Sequence, residues 1–253
     1  MFEVANNLAV LLIAVAFIAG FVDAIAGGGG LITVPALLLV GASPLEALAT
    51  NKVQGSFGSG AAAYSYARAG HVRPMQQLGM AAISAASAAS GSLIARMVPL
   101  DILRLIMPVV LIGVALFFAL KPGLSDKDRV QRLSPAVFSI TLVPLVAGYD
   151  GFFGPGAGSF FMLGFVLLAG FGVLKATAHT KMLNFASNLG SVAVFASTGA
   201  TWWAVGLAMG FAQVAGAALG ARLAMRVGAK LIKPLLVLIS TALAFRLLWQ
   251  IWS

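Results

Sequence analysis

Long apolar segments, separated by short polar connections, run through almost the whole chain and constrain its fold more than any other feature. Of the 253 residues, 60% are hydrophobic and only 9% are charged, whereas about 25% of the residues in soluble domains are charged. A water-soluble fold of this length needs a charged surface that so few side chains cannot supply. In a bilayer, by contrast, helices satisfy their backbone hydrogen bonds internally. We therefore predict an all-α, multi-pass membrane protein.

The net charge of +9 comes mainly from the connections between the apolar segments. Lys and Arg accumulate in the cytoplasmic connections of membrane proteins, so this charge requires no polyanionic partner. Nucleic acid is not an expected partner, because the basic residues form no clusters with interleaved aromatic residues. The chain has no cysteine, which excludes disulfides, Fe–S clusters and thiolate metal sites. We expect no cofactor and no metal.

The sequence contains an internal duplication of about 125 residues, in which the same residues recur in order at nearly constant spacing. The motif Val-Asp-Ala-Ile-Ala-Gly-Gly-Gly-Gly at 22–30 aligns with Tyr-Asp-Gly-Phe-Phe-Gly-Pro-Gly-Ala at 149–157. The recurring pairs are Asp23 and Asp150, Gly27 and Gly154, Gly29 and Gly156, Lys52 and Lys181, Arg96 and Arg222, and Pro108 and Pro234. Because the first motif recurs in mid-chain, we interpret the apolar segment before it as a structural helix and not as a signal peptide.

Each half of the chain is predicted to form five helical elements. They are 7–26, 31–40, 46–66, 74–95 and 102–120 in the first half, and 134–153, 159–169, 175–198, 202–221 and 231–252 in the second. Four elements per half reach the roughly 20 residues that a membrane-spanning helix needs, and the short second element does not. This short element is predicted to be broken or re-entrant and covered by protein. The predicted domains are an N-terminal repeat (1–120), a cytoplasmic linker (121–133) and a C-terminal repeat (134–253).

The distribution of basic residues predicts that the two repeats have opposite orientations in the membrane. The connection after the third element carries Arg68 and Arg73 in the first half, whereas the corresponding connection at 197–201 has no charge. Basic connections lie in the cytoplasm, so the first connection is predicted inside and the second outside. Both termini are then external.

Glycine clusters precede the short element in each half. Gly28, Gly29 and Gly30 precede the first, and Gly156 and Gly158 precede the second. Glycine lets the backbone approach a ligand closely, and the free N–H groups at the start of a helix attract anions. Gly-interrupted segments at matching positions of inverted repeats are typical of substrate sites in secondary transporters. The alternative interpretation is that these glycines only permit close helix packing.

Lys52 and Lys181 lie at matching positions near the start of otherwise apolar helices. A lysine at the centre of a membrane helix costs about 2.5–3.5 kcal/mol, so these residues indicate a function. Each heads a stripe of polar residues on one helix face. The stripes contain Ser56 and Ser59 in the first half and Asn184 and Asn188 in the second, with Asn51 and Thr180 immediately before the lysines. We predict that an anionic substrate is bound by the glycines together with Asn51, Lys52, Thr180, Lys181, Asn184 and Asn188; alternatively, the lysines reach the lipid headgroups.

Three titratable residues are candidates for proton coupling. Asp23 and Asp150 are carboxylates inside apolar segments, where they could hold a proton or pair with the lysines. His179 titrates near neutral pH, although a single histidine is also compatible with a hydrogen-bonded packing role. Too few ligands accompany His179 for a metal site.

The same motifs carry a resemblance to a known family. The segment Gly-Gly-Gly-Gly-Leu-Ile-Thr-Val-Pro at 27–35 is similar to the first-half signature of the TauE/SafE permeases. The segments 149–161, 178–181 and 184–188 resemble the YfcA-like branch of that family. The resemblance covers nearly the whole chain and implies a permease of the bacterial inner membrane. It also implies small anions as substrates, with sulfite and organosulfonates associated with the family.

The function predicted from these features is secondary transport of a small anion. The chain has no Gly-rich loop ending in Gly-Lys-Ser/Thr, so the driving force is predicted to be an ion or substrate gradient. The expected partners are the anionic substrate and the lipid bilayer, and homo-oligomerisation is left open. Three alternatives stay open at this point: a passive anion channel, an intramembrane enzyme, which we do not expect, and an assembly subunit without transport activity.

Overall fold

The computed structural model describes residues 3–103, 109 and 126–228. Within these ranges the structure contains eight α-helices with both ends described, further helical residues at 100–103, and no strand, as predicted. The helices are α1 Asn6–Ala26, α2 Gly29–Leu39, α3 Pro44–Arg68, α4 Pro74–Met97, α5 Pro135–Phe152, α6 Ala157–Leu167, α7 Val173–Phe195 and α8 Trp203–Val227. The predicted element 231–252 and nearly all of 102–120 lie outside the described residues.

The helix ends follow local signals that the apolar pattern did not reveal. Helix α3 begins before the predicted residue 46, because Ser43 and Glu46 form a capping box and Pro44 occupies the first turn. Helix α8 was predicted to end at residue 221 but continues to Val227. It ends there because Gly228 adopts a positive φ of 65°, a conformation that only glycine adopts readily.

Four of the described helices are long and apolar enough to cross a membrane. They are α1, α4, α5 and α8. Helices α3 and α7 are comparably long, with 25 and 23 residues, but their polar residues lower their hydropathy. The chain is thus a multi-pass membrane protein, while four full spans per half and the inverted order of the repeats remain predictions.

The fourth helix of each half packs against the other half. Helix α4 lies against α5 and α7, and α8 lies against α1 and α3. These contacts are close because glycines face the partner backbone: a Cβ atom on Gly216 would lie 2.0 Å from the carbonyl oxygen of Phe17. Small residues permit this approach in membrane helix pairs. Helices α3 and α7, which carry the two buried lysines, pack directly against each other.

Helices α2 and α6 are the predicted short elements, and each has 11 residues. At about 1.5 Å per residue this length is roughly half of the hydrocarbon thickness. A glycine with positive φ caps the N-terminus of each helix, with a φ of 111° at Gly28 and 85° at Gly156. The turns before them touch, because the Ser159 hydroxyl donates to the carbonyl oxygens of Ala26 (2.9 Å) and Gly27 (3.1 Å). The two broken elements therefore meet inside the protein.

Candidate substrate-binding site

A small cavity of about 40 Å³ lies where the two glycine turns meet. Its walls consist of glycine backbone, carboxamide side chains and two carboxylates. The lining residues are Asp23, Gly28, Gly29, Gly30, Asn51, Gly55, Asp150, Gly154, Gly156, Ala157, Gly158, Asn184, Asn188 and Gln213. The structure thus brings together all five predicted glycines and three of the predicted asparagines with both aspartates.

Each buried lysine forms an ion pair with the aspartate of the other half. Lys52 Nζ lies 2.5 Å from Asp150 Oδ1, and Lys181 Nζ lies 2.9 Å from Asp23 Oδ2. Lys181 also donates to the main-chain carbonyl oxygen of Asp23. Both lysines are at most 1% exposed. Buried charges require such pairing, because an unpaired charge in a low-dielectric interior is strongly unfavourable.

Among the described residues, the cavity lining includes both carboxylates but neither lysine. The ammonium group of Lys52 lies behind the second turn, 3.0 Å from the position of a Cβ atom on Gly154. The lysines were predicted to face the substrate directly, and their position behind the carboxylates results from the ion pairs. Both ammonium groups are buried within the protein beside their aspartates, which does not favour the alternative of lysines directed to the lipid headgroups.

The second oxygen of each carboxylate has a different type of partner. Asp23 Oδ1 accepts hydrogen bonds from the amides of Gly28 (3.0 Å) and Gly29 (3.1 Å), at the start of α2. Asp150 Oδ2 instead accepts a hydrogen bond from the hydroxyl of Ser187 on α7. Asp23 therefore occupies the N-terminus of its short helix, and Asp150 does not.

The aligned sequences of the two halves explain this difference. The position of Gly28 corresponds to Pro155 in the second motif, and proline has no N–H to donate. The position of Ser187 corresponds to Gly58 in the first half, which has no hydroxyl. The first half thus has the amide donor of Gly28 but no hydroxyl at Gly58. The second half has the hydroxyl donor of Ser187 but no amide at Pro155.

A chain of hydrogen bonds orients Asn51 toward the cavity. Asn51 Oδ1 accepts from the hydroxyl of Thr33 (2.7 Å) and from Nε2 of Gln54 (3.1 Å). Gln54 in turn accepts a hydrogen bond of 3.0 Å from Gln213. Because these two bonds fix the oxygen of Asn51, its Nδ2 is directed toward Gly30. A Cβ atom on Gly30 would lie 3.3 Å from this nitrogen. Sequence reasoning did not identify Thr33 or Gln54, although Gln54 lies one turn from Asn51.

Asn184 has an unsatisfied carboxamide beside the second turn. Asn184 is 6% exposed, and its Oδ1 has no hydrogen-bond partner within the described part of the chain. Its Nδ2 lies 2.6 Å from the position of a Cβ atom on Gly158. Asn188, one turn further along α7, donates to the hydroxyl of Ser59 at 3.3 Å. Buried polar atoms are nearly always hydrogen-bonded, so the unmet group of Asn184 is suited to a water molecule or a ligand.

Besides the two lysines, two further predicted site residues do not line this cavity. His179 faces the opposite side of α7, against the rings of Phe171 and Phe165, and lines a separate cavity of about 140 Å³. Its Nδ1 lies 2.9 Å from the carbonyl oxygen of Lys175 and therefore carries the hydrogen. The hydroxyl of Thr180 is buried without a partner in the described ranges, away from the cavity. Helical geometry causes this separation, because adjacent residues on α7 point in different directions.

The described residues offer no metal site. No group of three His, Asp or Glu side chains lies close enough together to hold an ion in residues 3–103, 109 and 126–228. The ionisable residues at the cavity are instead the two cross-paired aspartates.

The described part of the linker holds the start of α7 in place. The amide of Gly172 donates to Asp128 Oδ1 (2.7 Å), and the amide of Leu174 donates to Asp126 Oδ1 (3.2 Å). The hydrogen bond from Gly172, together with Lys175 at 3.1 Å, lowers the pKa of Asp128. Carboxylates stabilise helix N-termini, so the linker fixes the helix that carries Lys181.

Comparison with known proteins identifies similar transporters along the entire chain. The family model described as sulfite exporter TauE/SafE matches residues 12–247. A Sinorhizobium protein named "Probable membrane transporter protein ORF9" is 60% identical over 248 residues, covering 98% of this chain and 95% of the relative. "Probable membrane transporter protein YfcA" of Escherichia coli K12 is 43% identical over 250 residues, covering 99% and 93%. No solved structure matches.

Proposed function

The chain belongs to the TauE/SafE family of membrane transporters and is not an enzyme, and on that premise we propose that it is a secondary permease for a small anion. The proposed substrate class is sulfite or an organosulfonate, which the family description and the electropositive start of a helix both favour. The proposed location is the bacterial inner membrane, with inverted repeats and both termini outside, because the connection with Arg68 and Arg73 is basic.

One observation carries this proposal: two ion pairs cross between the halves at a cavity formed by two broken elements. Lys52 pairs with Asp150, and Lys181 pairs with Asp23. Transporters place their substrate sites where discontinuous helices of two repeats meet. Four buried charges at such a point destabilise a membrane protein unless they are paired. Their presence around a cavity therefore supports a role in binding and coupling.

The charge balance of the site suggests how substrate and proton are coupled. With all four groups ionised, the two lysines and the two aspartates sum to zero, and the carboxylates lining the cavity repel an anion. Protonation of Asp23 or Asp150 leaves one lysine charge uncompensated in a low-dielectric environment, where it attracts an anion strongly. In this mechanism the anion and the proton enter together. His179 lies in the other cavity and takes no part.

Flux measurements on matched variants test the proposal. Purified protein in liposomes should take up sulfite faster when a pH gradient is imposed. Lys52→Met and Lys181→Met leave a buried carboxylate unpaired, which costs about 3–5 kcal/mol of stability, so each is compared with a charge-neutral double variant. These doubles are Asp150→Asn/Lys52→Met and Asp23→Asn/Lys181→Met. We expect them to fold and to lose gradient-driven uptake.

Two results would contradict the proposal. Wild-type uptake in both double variants would remove the ion pairs from the mechanism. Sulfite flux that is insensitive to the pH gradient in the unaltered protein would favour the passive channel.

A further inference from the structure

We propose that the two glycine turns are not equivalent and that the substrate anion binds at the start of α6, with Asn184 as a ligand. This inference rests on the proposed function, because it locates the anion within the same cavity. It follows from the different partners of the two carboxylates, from the backbone at each turn and from the unsatisfied side chain of Asn184.

The start of α2 already holds an anion, which is the carboxylate of Asp23. Its Oδ1 accepts from the amides of Gly28 and Gly29 at 3.0 and 3.1 Å. These are the N–H groups that an external anion would use at this helix. The adjacent oxygen of Asp23 is held by Lys181 at 2.9 Å, so the carboxylate is fixed from two sides. Helix α2 therefore has little remaining capacity for an anion.

No carboxylate of the described residues accepts a hydrogen bond from the first turn of α6. Asp150, the counterpart of Asp23, is directed to Lys52 and Ser187 instead. Pro155 replaces the amide that Gly28 supplies in the first half, so Asp150 could not repeat the capping arrangement. Among the residues that the structure describes, no carboxylate caps the positive end of α6.

The charge and the backbone around this turn favour an anion. The ammonium group of Lys52 lies 3.0 Å from the position of a Cβ atom on Gly154, so a positive charge adjoins the start of α6. Gly156 and Gly158 both line the cavity, and neither has a side chain that would cover the backbone. Two amides of this turn, those of Ala157 and Ser159, already donate to main-chain carbonyl oxygens. Within the described residues, a small anion can therefore reach the amides of Gly156 and Gly158.

Asn184 supplies an independent observation that a ligand belongs here. It is more than nine-tenths buried, lines the same cavity, and has an Oδ1 without a partner in the described ranges. Its Nδ2 is directed at Gly158, 2.6 Å from where a Cβ atom would lie. The Nδ2 group can donate to an anion at this helix start, whereas the unpartnered Oδ1 is an acceptor and suits a ligand that also carries a hydroxyl group, such as hydrogensulfite. The cavity volume of about 40 Å³ suits a ligand of a few heavy atoms.

The substitution Asn184→Asp tests the inference because it adds a carboxylate at the start of α6, as Asp23 provides at α2. We expect the variant to remain folded and to bind sodium sulfite at least about tenfold more weakly than the wild type, since the new charge competes for the same amides. Binding is measured by calorimetry on the detergent-solubilised protein, with the thermal shift as a second readout. Asn184→Ala, which removes the carboxamide without adding charge, should also weaken binding.

Gln77→Glu is the matched control, because Gln77 is another buried carboxamide with an unpaired oxygen and lies at the other cavity. It should bind sulfite like the wild type. Wild-type affinity in both Asn184 variants would overturn the inference while leaving the proposed function intact. If the unaltered protein neither binds nor transports sulfite or methanesulfonate, the proposed function fails, and this inference fails with it.

Discussion

At the scale of single residues, each buried lysine pairs with an aspartate whose other carboxylate oxygen accepts a hydrogen bond from a further donor. Asp150 binds Lys52 through one oxygen and Ser187 through the other. Ser187 is fully buried, so its hydroxyl is not exchanged for water without rearrangement. The orientation of Asp150, and through it the position of Lys52, therefore depends on a single hydroxyl group.

The substitution Ser187→Ala tests this dependence. A hydrogen bond to a charged group contributes about 1.5–3 kcal/mol, and we expect the free energy of unfolding to fall by about that amount. Ser139→Ala is the control, because Ser139 is only partly buried and its hydroxyl bonds to the carbonyl oxygen of Pro135 on its own helix. Thermal unfolding in detergent compares the two variants. An equal effect of both substitutions would contradict the role assigned to Ser187.

The sequence identified the charged residues of the site but not their partners. Asp23, Asp150, Lys52 and Lys181 were detectable because ionisable residues are rare in apolar segments and these four recur in both halves. Their crosswise pairing depends on how the two halves pack, which no local pattern encodes. Ser187 was missed because serine is common in membrane helices and only its contact with Asp150 distinguishes it.

At the scale of helical elements, the two turns before α2 and α6 require glycine for two separable reasons. The first is conformational, since Gly27 has a φ of 73°. The second is steric, since a Cβ atom on Gly27 would lie 2.6 Å from the amide nitrogen of Ser159. The loop glycine Gly41 also has a positive φ, of 100°, but no atom lies within 4 Å of its Cβ position. A substitution at Gly41 therefore tests the conformational requirement alone.

Comparison of Gly27→Ala with Gly41→Ala separates the two contributions. The positive φ alone costs about 1–2 kcal/mol for a residue with a Cβ atom, and we expect Gly41→Ala to lose about that much stability. Gly27→Ala should lose clearly more, because the two turns must also move apart. The midpoints of thermal unfolding provide the measurement. Similar losses in both variants would show that the turns are not tightly apposed.

The sequence predicted the existence of the elements better than their ends or their neighbours. The alternation of apolar segments with Gly-rich and basic connections was sufficient to locate α1–α8. The extension of α8 to Val227 was not predicted, because the predicted element ended at residue 221 and left Arg222 and Arg226 in the connection before 231–252. Long basic side chains are also tolerated at helix ends, so their presence does not mark where a helix stops.

At the scale of the whole molecule, the packing of α4 against α5 and α7, and of α8 against α1 and α3, ties the two halves together. The duplication could not predict that the fourth helix of each half packs on the other half. Aligned positions show which residues correspond but not which surfaces are in contact. Helix α4 packs on the helices that carry Asp150 and Lys181, and α8 packs on those that carry Asp23 and Lys52. Rotation of either half therefore shifts helices that carry members of both ion pairs. Movement of the halves and the state of the charges are therefore expected to be linked.

The proposed inverted orientation of the repeats would place equivalent surfaces of the two halves on opposite sides of the membrane. The chain has no cysteine, so single cysteines can be introduced without removing any. Ala69→Cys and Ser197→Cys place an exposed thiol in the connection after the third element of each half. We expect a membrane-impermeant maleimide to label Ser197→Cys in intact cells or spheroplasts, and Ala69→Cys only after the membrane is opened. The cysteine-free protein is the unlabelled control, and labelling of both variants from the same side would make the repeats parallel.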